Sequence, residues 1–112
     1  MATATPEKTS VPQITETQCF INGQFVDAAS GKTFETINPA NEEVLAHVAE
    51  GDREDVDRAA QAARKALDEG PWGRMDARER GRLMMRLAQL MRDDAATLTA
   101  LETLDNGKPI RD

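Results

Sequence analysis

Large apolar side chains are scarce in this chain, and they are split between segments of two different periodicities. Seventeen of its 44 apolar residues are alanine, and the aromatics are three Phe and one Trp, with no Tyr. Alanine buries little area. At about 25 cal/mol per Å² of apolar surface, the remaining groups make a thin core against the entropy of ordering the chain. The larger side chains are therefore expected to face something outside these 112 residues. The last turn points the same way. Asp105-Asn106-Gly107 is a helix stop, because Gly suits the left-handed C′ position and Pro109 blocks continuation. Such a turn should deliver the chain into a further element, so the sequence reads as the opening piece of a larger protein.

Residues 1–18 are rich in Thr and contain Pro6 and Pro12, and they read as a disordered polar tail. They have neither an apolar h-region nor an Arg-rich amphipathic pattern, so no secretory signal or transit peptide is indicated. From Cys19 the pattern changes. Phe20-Ile21 and Gln24-Phe25-Val26 flank Asn22-Gly23, two residues that tolerate the positive φ of a type I′ hairpin turn. A second strand pair is expected over Thr33 to Ile37 and Val44 to Val48, joined through Asn38-Pro39-Ala40-Asn41, although its apolar alternation is imperfect. Unprotected strand edges suggest that these pairs add to a sheet elsewhere.

Three helices should follow. The first opens at Asp52, carries Glu54 and Asp55 in its first turn, and presents a narrow stripe of Val56, Ala59, Ala60, Ala63 and Leu67 before Gly70-Pro71 ends it. The second opens at Asp76, with Glu79 completing a capping-box pattern, and Leu83, Met84, Leu87, Leu90 and Met91 form its buried face. Asp93 or Asp94 caps the third, which Leu98, Leu101 and Leu104 line as far as Gly107.

Charge narrows the range of partners. The net charge is −6. Residues 1–51 have seven acids against two bases (−5), and residues 52–112 have thirteen against twelve (−1). No basic surface results, so neither nucleic acid nor an anionic membrane is an expected partner. Arg74, Arg78, Arg82 and Arg86 do recur every fourth residue, but an acidic chain favours a solvated or interdomain face over a phosphate stripe. The lone Cys19 cannot form an internal disulfide, which suits a reducing compartment, and a cytoplasmic location is the expectation. No run approaches the ~20 apolar residues of a membrane span.

Few residues offer chemistry. Cys19 starts an apolar strand with no base or helix N-terminus beside it, and it reads as a small hydrophobe. His47 lacks the partners of a zinc site and should be an outward-facing or hydrogen-bonded strand residue. Trp72 reads as an anchor at a helix connection. The glycines never fall into a dinucleotide or Walker spacing.

Several stretches, in order, nevertheless resemble one family. They are Phe20-Ile21-Asn22-Gly23-Gln24-Phe25-Val26-Asp27, Asn38-Pro39-Ala40, Val48-Ala49-Glu50-Gly51-Asp52, Asp55-Val56-Asp57-Arg58-Ala59, Gly70-Pro71-Trp72, Arg78-Glu79-Arg80-Gly81-Arg82-Leu83 and Leu101-Glu102-Thr103-Leu104-Asp105-Asn106-Gly107-Lys108-Pro109. Together they look like the N-terminus of NAD(P)-dependent aldehyde dehydrogenases, and the last of them resembles the broad-substrate and betaine-aldehyde branches most. The resemblance implies an α/β parent with a Rossmann-like fold, in which residues 19–112 are the β-hairpin and helical part of an incomplete cofactor-binding domain. It implies oxidation of aldehydes to acids: a thiolate attacks the carbonyl, hydride passes to the nicotinamide, and glutamate-activated water hydrolyses the thioester.

The family's catalytic cysteine, glutamate and asparagine and its cofactor-binding glycines lie outside this sequence. The resemblance therefore places no catalytic or cofactor-binding residue here, and the piece alone should be inactive and bind neither NAD nor NADP. It does imply a structural monovalent-cation site at Thr36, Ile37 and Asp105, where a capping or turn role for Asp105 is an equal reading. The implied partners are the remainder of the parent chain and further copies, as a dimer or tetramer. Two other readings stay open on the residues alone: a stand-alone helical module that binds a protein, and a nucleic-acid binder using the Arg stripe.

Overall fold

The structure, a computed structural model, describes residues 11–112. Four strands precede three α-helices: β1 (Cys19–Ile21), β2 (Gln24–Val26), β3 (Thr33–Ile37), β4 (Val44–Ala49), α1 (Arg53–Asp68), α2 (Ala77–Asp93) and α3 (Ala95–Asn106), with a 3₁₀ turn at Trp72–Arg74. Of the expected polar tail, residues 1–10 lie outside the described residues, and residues 11–17 form neither helix nor strand. Backbone pairing starts just before β1, where the Thr17 carbonyl accepts from the Ala49 N–H at 2.8 Å.

β1 and β2 pair antiparallel, with Cys19 opposite Val26 and Phe20 opposite Phe25. Asn22 (φ 54°) and Gly23 (φ 75°) supply the two left-handed residues that a type I′ turn requires. The facing Phe20 and Phe25 rings lie 5.0 Å apart at 52°, a tilted cross-strand pair. β3 and β4 form a second antiparallel pair whose register shifts between Thr36 and Ile37: Thr36 faces Ala46 and Ile37 faces Val44, so Leu45 is the extra residue of a bulge. The two sheets remain separate, each with two strands.

α1 begins at a reciprocal capping box. The Asp52 side chain accepts from the N-terminal turn, and the Asp55 carboxylate reaches back to the Asp52 N–H at 3.0 Å. The box expected at Asp76 is only half formed. Asp76 accepts from the Glu79 N–H at 2.9 Å, but the Glu79 carboxylate turns to Arg82 at 2.6 Å. An arginine three residues on competes for it on the helix surface. Asp94, one of the two residues expected to cap α3, stands at the junction, closing α2 and opening α3, and it makes no side-chain cap bond. Its backbone (φ −101°, ψ 14°) departs from the extended geometry that aims a cap side chain at the following N–H groups.

The joint between α1 and α2 is held by close backbone approach. A Cβ on Gly70 would lie 2.4 Å from the Ala66 carbonyl oxygen, and one on Gly73 would lie 2.2 Å from that of Leu67. Trp72 starts the 3₁₀ turn that packs on α1 and stays 40% exposed.

The core is small. Among the described residues, Ala28 and Ala100 are the buried apolar ones, and no large side chain is fully buried. The radius of gyration is 18.6 Å, where a compact chain of this length would measure about 13 Å. The face of α2 expected to be buried is open: Leu83, Met84, Leu87, Leu90 and Met91 are 48–64% exposed. Within these residues nothing stands opposite them to exclude water, which fits the expectation that the larger side chains face something beyond this sequence.

The two glycine environments predict opposite outcomes. Gly73→Ala should destabilise by about 1–3 kcal/mol, because its methyl meets fixed backbone. Gly81→Ala, inside α2 with nothing within 4 Å of the new Cβ, should stabilise by about 0.5–1 kcal/mol. Denaturant midpoints of the full-length variants check both.

Candidate functional site

Two junctions bring residues together across the sequence. The first centres on Asp55, which is 5% exposed and is the buried charged residue among those described. Its Oδ1 accepts from the Ala29 N–H at 2.9 Å and its Oδ2 from the Asp52 N–H at 3.0 Å. One carboxylate thus ties the loop after β2 to the start of α1. The Asp52 N–H bond, then that of Ala29, hold its pKa below the usual aspartate value against the opposing effect of burial, and Arg58 adds a smaller pull. This clamp has no reactive neighbour and is structural. Sequence reasoning placed Asp55 in the first turn but missed the clamp. The Asp52-x-x-Asp55 spacing could have revealed the box, whereas nothing local signals Ala29, 26 residues away.

The second junction joins the positions expected to bind a cation. Thr36 Oγ1 donates to Asp105 Oδ1 at 2.6 Å across 69 residues, tying β3, opposite the bulge, to the last turn of α3. The turn beyond β3 reaches the same place: Pro39 Cγ would lie 3.1 Å from a Cβ on Gly107, the left-handed residue (φ 81°) that closes α3. Nearby, Thr103 Oγ1 donates to the Lys108 carbonyl at 2.6 Å and the Lys108 N–H donates to Asn106 Oδ1 at 2.8 Å, which fixes the turn after the helix.

Ile37 neighbours Thr36 at the bulge and is 45% exposed. The three positions are therefore adjacent in space. The Thr36–Asp105 bond engages one carboxylate oxygen, and a hard cation would need further oxygen donors. Among the described residues there is no cluster of three or more His, Cys, Asp or Glu side chains, so a cation here would depend on carbonyl oxygens.

The other singled-out residues stand apart. Cys19 is partly buried opposite Val26 in β1. His47 faces outward across from Glu35, with Nε2 3.4 Å from its carboxylate. Arg82 pairs with Glu79 on the solvent side of α2, as an interleaved, solvated face requires. No catalytic constellation forms among them. Among the described residues, no helix is long and apolar enough to cross a membrane.

The comparisons with known proteins decide the family. The aldehyde dehydrogenase family profile matches residues 25–112. The chain belongs to the aldehyde dehydrogenase family. It is 56% identical over 107 residues to the mitochondrial aldehyde dehydrogenase of Sus scrofa, which covers 95% of this chain and 20% of the relative. It is 58% identical over 97 residues to aldehyde dehydrogenase family 2 member B4, mitochondrial, of Arabidopsis thaliana, at 87% and 18% coverage. Its structure superposes on the NAD+ complex of the Bacillus cereus aldehyde dehydrogenase with a TM-score of 0.83 and 52% identity, covering 87% of this chain and 20% of that one. The betaine aldehyde dehydrogenase of Staphylococcus aureus, also in complex with NAD+, gives 0.81 at 38% identity. The chain spans about a fifth of the length of these relatives. The expected order, hairpins and then three helices, is the order found.

The Thr36–Asp105 bond should matter to stability. Thr36→Val should cost about 1 kcal/mol, with Asp105→Asn non-additive to it. A double-mutant denaturation cycle in the full-length protein measures the coupling, and strict additivity would show that the contact carries nothing.

Proposed function

We propose that this chain is the N-terminal part of an enzyme that oxidises aldehydes to carboxylic acids with NAD(P)+ through a cysteine thiohemiacetal and thioester. The family match over residues 25–112 carries the reading, together with the similarity of the hairpin-and-helix unit to NAD+-bound aldehyde dehydrogenases. The residues present do not fit the dinucleotide. Their glycines sit in turns, at helix joints or singly, none in a phosphate-cradling loop, and Cys19 has no activating base. The dinucleotide supplies the hydride acceptor in the parent reaction. This chain contributes scaffold: hairpins held to helices by Asp55 and by the Thr36–Asp105 bond.

The same proposal includes a broad-substrate or betaine-aldehyde preference, supported by the wording of residues 101–109. It includes a monovalent-cation site at Thr36, Ile37 and Asp105, supported by their adjacency and by hard oxygen donors. It also includes a dimer or tetramer of full-length chains and a cytoplasmic location, the latter resting on the single cysteine and the acidic composition.

The test is direct. The full-length polypeptide with an aldehyde and NAD+ should produce NADH, and a thiol-blocking reagent should abolish it. The 112-residue piece alone should produce none. NADH from the piece would sink the scaffold reading, and its absence from the full-length chain would sink the enzymatic one. For the cation, the full-length thermal midpoint should rise when sodium or potassium replaces a bulky organic cation, and Asp105→Ala should remove most of that rise.

A further inference from the structure

The chain contains four asparagines, and the residue after each sets how readily its side chain loses the amide. Asn38 precedes Pro39, which has no N–H, and Asn41 precedes Glu42, whose side chain crowds the backbone nitrogen. Asn22 and Asn106 both precede glycine. In such a pair the glycine nitrogen is unhindered, and once deprotonated it attacks the asparagine Cγ. The N–Cγ bond forms, the Cγ–Nδ2 bond breaks, and ammonia leaves as a cyclic imide closes.

The fold treats the two pairs differently. At Asn106-Gly107 every reacting atom is engaged. The Gly107 N–H donates to the Thr103 carbonyl at 2.9 Å, Asn106 Nδ2 donates to the Glu102 carboxylate, and Asn106 Oδ1 accepts from the Lys108 N–H at 2.8 Å. Pro39 covers the glycine, its Cγ 3.1 Å from a Cβ built there. Closing the imide would unwind the last turn of α3. None of these restraints exists at Asn22-Gly23. The pair is exposed, and neither the Gly23 N–H nor the Asn22 side chain bonds to any group among the described residues. Nothing lies within 4 Å of a Cβ on Gly23. Asn22 must rotate out of its turn conformation to react, but that opens only a two-residue turn in a ribbon that is marginal by itself.

We propose that Asn22 is a site of spontaneous deamidation, and that the end of α3 protects Asn106 from the same reaction. Water completes it, opening the imide at Cγ to give aspartate or at the backbone carbonyl to give isoaspartate. Both products add a carboxylate to the turn. Isoaspartate also routes the main chain through Cβ and Cγ, a length that a type I′ turn does not accommodate. The facing of Phe20 and Phe25 across the hairpin then loosens. The Ala29–Asp55 bond lies beyond β2, so the damage stays within the hairpin. The enzymatic reading is not needed for any of these steps.

Two samples test it: the folded full-length protein, and the same protein unfolded in guanidinium chloride. Both are held at mildly alkaline pH for days, and peptide mass spectrometry follows conversion at Asn22 and Asn106, with fragmentation separating isoaspartate from aspartate. In the folded protein Asn22 should convert at least about tenfold faster than Asn106, and faster still as pH rises, with isoaspartate among the products. In the denaturant the ratio should fall to within about threefold, because only the shared glycine then matters. A smaller ratio in the folded protein, or no conversion at either site, overturns the proposal. So does a ratio that survives unfolding, since flanking sequence and not structure would then be its cause.

Discussion

Two N–H groups from different parts of the chain converge on the carboxylate of Asp55, and the arrangement of the N-terminal hairpin depends on that convergence. A two-stranded ribbon is marginal in water by itself. β1 and β2 share one aromatic pair, and β1 lies beside the alanine stripe of α1, which offers little area to hold it. The bond from Ala29 supplies the direction, and Ala28, 4% exposed beside it, supplies the buried contact. Because Asp55 also closes the capping box of α1, the residue that starts the helix also positions the hairpin. Hydrogen bonds to its ionised form keep its pKa low. The native state therefore binds this proton more weakly than the unfolded chain does. Its stabilisation is complete above the ordinary aspartate value and drains away as pH falls through the lower folded value.

The second hairpin repeats the logic with a different device. A bulge at Thr36 and Ile37 bends β3 and β4 so that the Thr36 hydroxyl meets Asp105, while Pro39 packs on the glycine that ends α3. Both hairpins are thus tied to helices by an acidic residue near a helix terminus, and neither is held by a conventional core. This explains how so alanine-rich a chain keeps defined geometry while its large apolar groups stay open. Polar clamps set direction at little cost in apolar surface, and the face of α2 stays exposed.

Membership of the aldehyde dehydrogenase family gives this architecture a purpose. The chain spans about a fifth of the length of the relatives it matches, and its polar clamps give that span defined local order. No phosphate-loop spacing occurs in the sequence, and Cys19 sits partly buried in β1.

Most local elements were legible in the residues, because their causes are local. Asn22-Gly23 dictates the hairpin turn through positive φ, Asp52 and Asp76 open helices through their carboxylates, and Gly70-Pro71 and Gly107 close them through backbone freedom and ring constraint. The half-formed box at Asp76 and the shared residue Asp94 were not foreseen: the first turns on a local choice of Glu79 between the cap and Arg82 three residues on, and the second on a helix junction without a loop. The same holds for Ala29 on Asp55 and for Thr36 on Asp105, contacts 26 and 69 residues apart that no short pattern encodes. The sequence by itself thus determined where most strands and helices start and stop and, through its ordered motifs, which family it resembles. Tertiary structure alone decided which carboxylates became clamps and which apolar face stayed open, because both depend on groups brought together only when the chain folds.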